Sequence, residues 1–159
     1  MMQKITKFLL VLGALVLALS CSGDSEQNCE GTGITMKING ELQDFDCSGY
    51  GIDLDGNGHT LKLWFDRYTA PNTYQNIYIE MRYKKTGQNK IEKFFYSQSG
   101  DLSPFSGDFL GGEFQSDIAT NRTTCVSGTF SGKLNDGNQE IVITEGVLAN
   151  EYDEPLPPN

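Results

Sequence analysis

The sequence predicts an all-β fold, an antiparallel β-sandwich or a small lipocalin-like barrel of about eight to nine strands. Three observations predict it. Past Gly33 the apolar stretches are short, alternate with polar residues at period two, and are rich in β-branched and aromatic types. Turn signals of Asn, Asp and Gly recur between them at hairpin spacing. No stretch of this region keeps apolar residues at the three-to-four spacing of a helix.

The elements follow in order. "ITMKI" (Ile34–Ile38) runs into Asn39-Gly40, a two-residue hairpin signal, and then "ELQDF". "GYGIDL" leads through Asp55-Gly56-Asn57-Gly58 into "HTLKLWF", where Leu61, Leu63 and Phe65 alternate with polar neighbours. In "NIYIEMRYKK", Ile77, Ile79, Met81 and Tyr83 share one face; Tyr78, Glu80, Arg82 and Lys84 share the other. Thr86-Gly87-Gln88-Asn89 turns this strand back into "IEKFFY". "SGDLSPFSGDFLGG" reads as the longest loop, and "GGEFQSD" as a short strand. "CVSGTFSGKL" and "EIVITEGVL" flank the turn Asn135-Asp136-Gly137-Asn138. Period-two patterning implies one buried and one solvated face per strand.

Outside this region the chain changes character. Lys4 and Lys7 precede an apolar run from Phe8 to Leu19, shorter than the ~20 residues of a spanning helix and suited to a signal-peptide core. The following "LALSC" resembles the lipobox of bacterial lipoproteins. That resemblance implies cleavage after Ser20 and fatty acylation of Cys21, with several acyl chains giving a stable anchor. Residues 1–20 are therefore expected to be a lipoprotein signal peptide and 21–33 a lipidated, polar, flexible stalk. The antiparallel β domain is expected over 34–149, and an acidic, proline-rich disordered tail over 150–159. Ser22 after the cysteine is unlike the enterobacterial inner-membrane retention signal, so an outer-membrane location is expected, on the periplasmic face or the cell surface. Asp24 and Glu26 resemble the surface-export signals of Bacteroidota lipoproteins; they equally suit a solvated linker. The early "MKINGE" and the closing "GTFSGKL…EIVITEGVL" resemble small uncharacterised lipoproteins of Bacteroidota. This second resemblance implies fold and location but no activity.

The chain carries 21 acidic against 12 basic residues, and the two lysines of the leader are lost on cleavage. Such a balance argues against nucleic acid, whose binding requires neutralised phosphates. With Cys21 committed to lipid, Cys29, Cys47 and Cys125 allow one disulfide in an exported protein. Cys47–Cys125 would pin distant parts of a sheet, and Cys29–Cys47 would close a local loop. No cysteine or histidine spacing matches a zinc site.

"DLDGNGHTLKLW" begins like a calcium loop, with Asp53, Asp55 and Asn57 at alternate positions, but its twelfth residue is Trp64 rather than a bidentate acid. A tight hairpin explains those residues without an ion, and completion by Asp66 would make an unusual loop. No metal or other cofactor is expected. His59, the only histidine, has no nucleophile motif to serve, so no catalytic residue is assigned. Arg82, Lys84, Lys85, Lys90 and Lys93 gather on one hairpin, as a docking patch for anionic groups or as charges that protect a sheet edge. Adjacent aromatics must face opposite sides of a strand, and Trp64, Tyr78 and Phe94 form a candidate ligand face for a glycan or a protein. The expected function is a non-enzymatic binding or surface-interaction module held to the membrane by its lipid. A glycoside hydrolase-like enzyme with paired carboxylates, and a protective protein that occupies a basic partner, are the alternatives.

Overall fold

The structure, a computed structural model, describes residues 29, 31–54, 59–70, 72–109 and 111–153. The expected signal peptide, Cys21 and most of the expected stalk lie outside these residues, as do Asp55 to Gly58. The described chain is an antiparallel meander closed into a barrel. Its strands are β1 (Thr32–Ile38), β2 (Glu41–Asp53), β3 (Thr60–Ala70), β4 (Thr73–Arg82), β5 (Gly87–Gln88), β6 (Ile91–Ser99), β7 (Phe105–Phe109), β8 (Gln115–Asn121), β9 (Cys125–Asn135) and β10 (Glu140–Glu151). Eight of them follow one another round the wall as β1-β2-β3-β4-β6-β7-β9-β10, and β10 pairs back onto β1. Of the two expected architectures the barrel is the one formed. Closure removes the sheet edges that a sandwich would leave.

Local chemistry sets each turn of the meander. Asn39 and Gly40 both take positive φ (49° and 90°), the conformation that a two-residue hairpin with native strand twist requires. "ELQDF" and "GYGID", read separately in the sequence, are one strand. A bulge at Ser48 lets β2 pair with β3 as Cys47↔Phe65 and then Gly49↔Trp64.

The seam between β6 and β9 is composite. β7 and β8 both run antiparallel to β9, with Phe109 opposite Leu134 and Gln115 opposite Ser131. They occupy one slot of the wall, interrupted where the chain from Phe109 to Gln115 opposes only Gly132 and Lys133. β5 extends the β6 side of that slot by pairing with β8. The short strand expected in "GGEFQSD" is thus part of β8, and the expected long loop holds β7.

The interior is filled by alternate residues, as in β4 with its inward Thr73, Gln75, Ile77, Ile79 and Met81. Met36, Phe45, Leu63, Phe65, Phe94, Tyr96, Ile118, Val126, Leu134 and Leu148 pack against them. An eight-stranded barrel is just wide enough for side chains to fill it, and here they do. Gly146 lets the Phe130 ring lie against β10: a Cβ there would sit 2.5 Å from the ring.

The domain boundaries shift outward. Thr32 and Gly33, assigned to the stalk, pair with Asn150 and Ala149 in β1. Asn150 and Glu151, assigned to a disordered tail, belong to β10, and Tyr152 is buried. The alternation of "VLAN" continues the hydrogen-bonded ladder past the last apolar residue, so polarity alone misplaced the end.

The disulfide joins Cys29 to Cys125, which corrects the expected Cys47–Cys125 bridge. β1 and β10 stand between β2 and β9, so Cys47 and Cys125 are three strand spacings apart along the wall, roughly 14 Å. A bridge needs Cα atoms within about 7 Å. Cys29, just ahead of β1, crosses the end of β10 to reach Cys125 with Cα atoms 5.8 Å apart. Cys47 remains a free thiol that donates to the Gly49 carbonyl, and burial pushes it up from its ordinary pKa despite hydrogen bonding with Gly49 and Asn150. Protonated, it is a poor nucleophile.

Candidate functional site

The outward faces of β3 and β4 form a grid of six residues in three cross-strand pairs: Trp64↔Tyr78, Asp66↔Asn76 and Tyr68↔Tyr74. Strand periodicity places all six outside the barrel, because Leu63, Phe65, Gln75 and Ile77 point in. Two aromatic pairs therefore bracket a polar pair. The ring centroids are 5.3 Å apart in Trp64–Tyr78 and 5.0 Å in Tyr68–Tyr74. Trp64 is 37 % exposed and Tyr68 74 %.

Trp64 lies low because β2 offers it no side chains. A methyl group built on Gly51 would be 3.6 Å from the ring, and one on Gly49 3.9 Å. The ring thus lies beside a glycine strip of the neighbouring strand, where an added methyl would come within van der Waals range of it. The bulge at Ser48 brings those glycines opposite Trp64 and Lys62.

Hydrogen bonds fix the polar members. Asp66 Oδ1 accepts from the Tyr74 hydroxyl and from Asn76 Nδ2, each at 2.8 Å. Burial alone would raise the Asp66 pKa; donation by Asn76, Tyr74 and Ser48 outweighs it and holds the carboxyl below its usual range. Glu80 lies one outward step beyond Tyr78. The Tyr78 hydroxyl, donating at 2.7 Å, outweighs burial, and Lys93 at 3.0 Å adds to it, so Glu80 is also held low. The tyrosines answer in the opposite sense. Burial, then the neighbouring carboxylates, push Tyr74 and Tyr78 up to about 12. At neutral pH the face presents ionised acceptors and protonated hydroxyls.

Of the three residues of the expected ligand face, the structure brings two together on the outside. Trp64 and Tyr78 are neighbours on the outside, whereas Phe94 is completely buried against Phe114 and Phe130. Phe95 is the residue opposite Tyr78 on the outer face. Of two adjacent phenylalanines one had to be core, and the Ile79↔Phe94 pairing decides which.

The basic hairpin is dispersed. Arg82 pairs with Glu92 at 2.9 Å and Lys93 with Glu80 at 3.0 Å. Lys84 lies 5.2 Å over the Tyr83 ring at the turn, and Lys85 and Lys90 flank that turn. Asn121 latches the turn by donating to the Arg82 and Lys85 carbonyls, while accepting from the Lys84 amide. The turn therefore sits at the barrel end that carries Cys125 and Cys29. Asp53 lies 3.4 Å from Lys62 Nζ, and among the described residues no three metal-ligating side chains converge. Asp55 and Asn57 lie outside those residues. His59 is exposed, its ring 6.5 Å from Tyr83.

Sequence reasoning missed a polar network at the far end of the interior. Gln75 is fully buried, accepts from Arg67 Nη1 at 2.7 Å, and donates to Gln43 at 2.8 Å and to the Tyr96 hydroxyl at 2.6 Å. The signal was present: Gln75 holds an inward position in "TYQNIYIEM". An open cleft of about 840 Å³ also lies along the seam, lined in part by Ile91, Phe109, Phe114, Ser116 and Phe130. Its polar groups close the seam, since Ser116 Oγ accepts from the Ile91 amide and Asn89 Oδ1 from the Ser116 amide. Its rings stack on one another. The grid, by contrast, leaves part of Trp64 and most of Tyr68 toward solvent.

No family model, curated protein or solved structure matches the chain.

Proposed function

We propose that the protein is a non-enzymatic binding module, held to the outer membrane by acyl chains on Cys21, with the β3–β4 grid as its recognition surface. The observation that carries the reading is the grid itself. Two aromatic pairs stand on the solvated side of a barrel whose core is complete without them. Solvent-facing rings with polar groups between them belong to recognition surfaces rather than to cores.

The acids support binding over hydrolysis. Glycoside cleavage needs one carboxyl kept protonated near neutrality. Asp66 and Glu80 are both held low. The tether supports the same reading. Cys21 stands eight residues before Cys29, so an acylated Cys21 holds the Cys29–Cys125 end within roughly 28 Å of the membrane. The grid starts beyond that end, where Thr60 pairs with Arg82, and extends toward Tyr68 and Tyr74. Recognition would then face away from the bilayer.

Mass spectrometry of the N-terminal peptide from membrane-extracted protein tests the tether. Acyl chains on Cys21 are expected, and an unmodified thiol there contradicts it. For the face, Trp64 is the sole tryptophan, so its emission reports the grid alone. Cell-surface material of the producing organism should shift that emission, and an unchanged spectrum contradicts the assignment.

A further inference from the structure

Resting on that assignment, we propose that the grid binds a neutral oligosaccharide lying along β3–β4, with sugar rings on Trp64 and Tyr68 and hydroxyls on Asp66 and Asn76. The first argument is geometric. Trp64 and Tyr68 lie four residues apart on one strand, about 13–14 Å, with Asp66 between them. A single sugar cannot touch both rings, whereas an extended oligosaccharide can. Trp64, beside its glycine strip, stays 37 % exposed. The C–H groups of a pyranose carry partial positive charge and suit the negative face of such a ring.

The second argument is the hydrogen-bonding character between the rings. Asp66 and the Asn76 carbonyl oxygen are acceptors, while Asn76 Nδ2 donates inward to Asp66 Oδ1 and to the Phe65 carbonyl. A sugar hydroxyl donates, so it matches a row of acceptors set between aromatic rings. A cation would need bare carboxylates, but the Asp66 oxygen already takes two internal donors and Glu80 takes Tyr78 and Lys93.

Charge decides against acidic sugars. Asp46 stands opposite Asp66 on the adjoining strand, and Asp108 lies opposite Phe95 at the other border. Carboxylates on both sides repel a uronate or a phosphorylated glycan.

The experiment follows Trp64 emission of the full-length protein in detergent during titration with neutral hexasaccharides (cello-, xylo-, manno- and N-acetylchitohexaose), hexagalacturonate and tetramethylammonium. The expected result is saturable binding of at least one neutral hexasaccharide. Tyr68→Ala, at an exposed position that leaves the fold intact, should weaken it about tenfold or more, near 1.4 kcal/mol. Asp66→Asn should weaken it comparably while keeping the side-chain shape. No response to any neutral hexasaccharide overturns the proposal, as does binding unaffected by both variants. So does preference for the anionic or the cationic probe. If cell-surface material still shifts Trp64 when no saccharide does, the recognition face stands and only the saccharide fails; if neither does, both fail.

Discussion

Replacing Cys29 and Cys125 together by alanine removes the cross-link between the entry to β1 and the start of β9. The bridge closes a loop of 96 residues in sequence separation. In the chain-entropy treatment a loop of that length restricts the unfolded chain by about 4–5 kcal/mol. For a domain of this size such a loss lowers the melting temperature by about 15 °C and the urea midpoint by roughly 2 M. The assay is urea denaturation followed by Trp64 emission and far-ultraviolet circular dichroism. Reduced wild type should superimpose on Cys29→Ala/Cys125→Ala, because reduction cuts the same link without changing core volume. Cys47→Ala is the control and should cost less than about 1 kcal/mol, since that thiol is unpaired. The reasoning is refuted if Cys47→Ala reproduces the large loss while Cys29→Ala is neutral. That result would bring β2 and β9 together and contradict the strand order.

Other perturbations report on separate parts of the structure. Gln75→Leu removes hydrogen bonds to Arg67, Gln43 and the Tyr96 hydroxyl, which keeps its bond to Gln98, and should cost about 2–3 kcal/mol in thermal denaturation. Gly51→Val places a branched side chain under Trp64; the indole should tilt outward, with red-shifted emission and little change in melting temperature. The carboxyls of Asp66 and Glu80 titrate below their ordinary values of 3.8 and 4.5. Their stabilisation is therefore complete above those values and lost as pH falls through the lower folded ones. Asp66→Asn/Glu80→Gln should flatten the acid limb of a stability–pH curve, and an unchanged limb would contradict the assigned bonds. Tyr74, Tyr78 and Tyr96 are pushed up to about 12, so their phenolate absorbance should be absent at pH 11 until the protein unfolds.

Much of this architecture was legible in the residues. The period-two pattern of Ile77, Ile79 and Met81 gave the inward face of β4 directly, and Asn39-Gly40 gave the first hairpin. What escaped depended on pairing between strands distant in sequence. Nothing local to Cys29 says that it crosses β10 to reach Cys125, because that follows from β10 closing onto β1. Nothing local to "FF" says which ring is core; the register of β6 on β4 does. The β7–β8 slot was hidden for a similar reason, since Pro104 and clustered glycines read as loop while β9 supplies the ladder. One of the grid's two aromatic pairs, Trp64 and Tyr78, was visible in the sequence. The grid's symmetry about Asp66 and Asn76 required knowing that β3 pairs with β4 in the register Trp64↔Tyr78.

The central claim is that ligand meets the outer face of β3–β4 rather than the seam cleft. Backbone and indole chemical shifts of isotope-labelled protein, recorded with and without the hexasaccharide that perturbs Trp64 emission most, test it directly. The largest shifts are expected on the Trp64 indole and on Asp66, Tyr68 and Asn76. Shifts concentrated instead on Ile91, Phe109, Phe114 and Phe130 would contradict it and move the site to the seam.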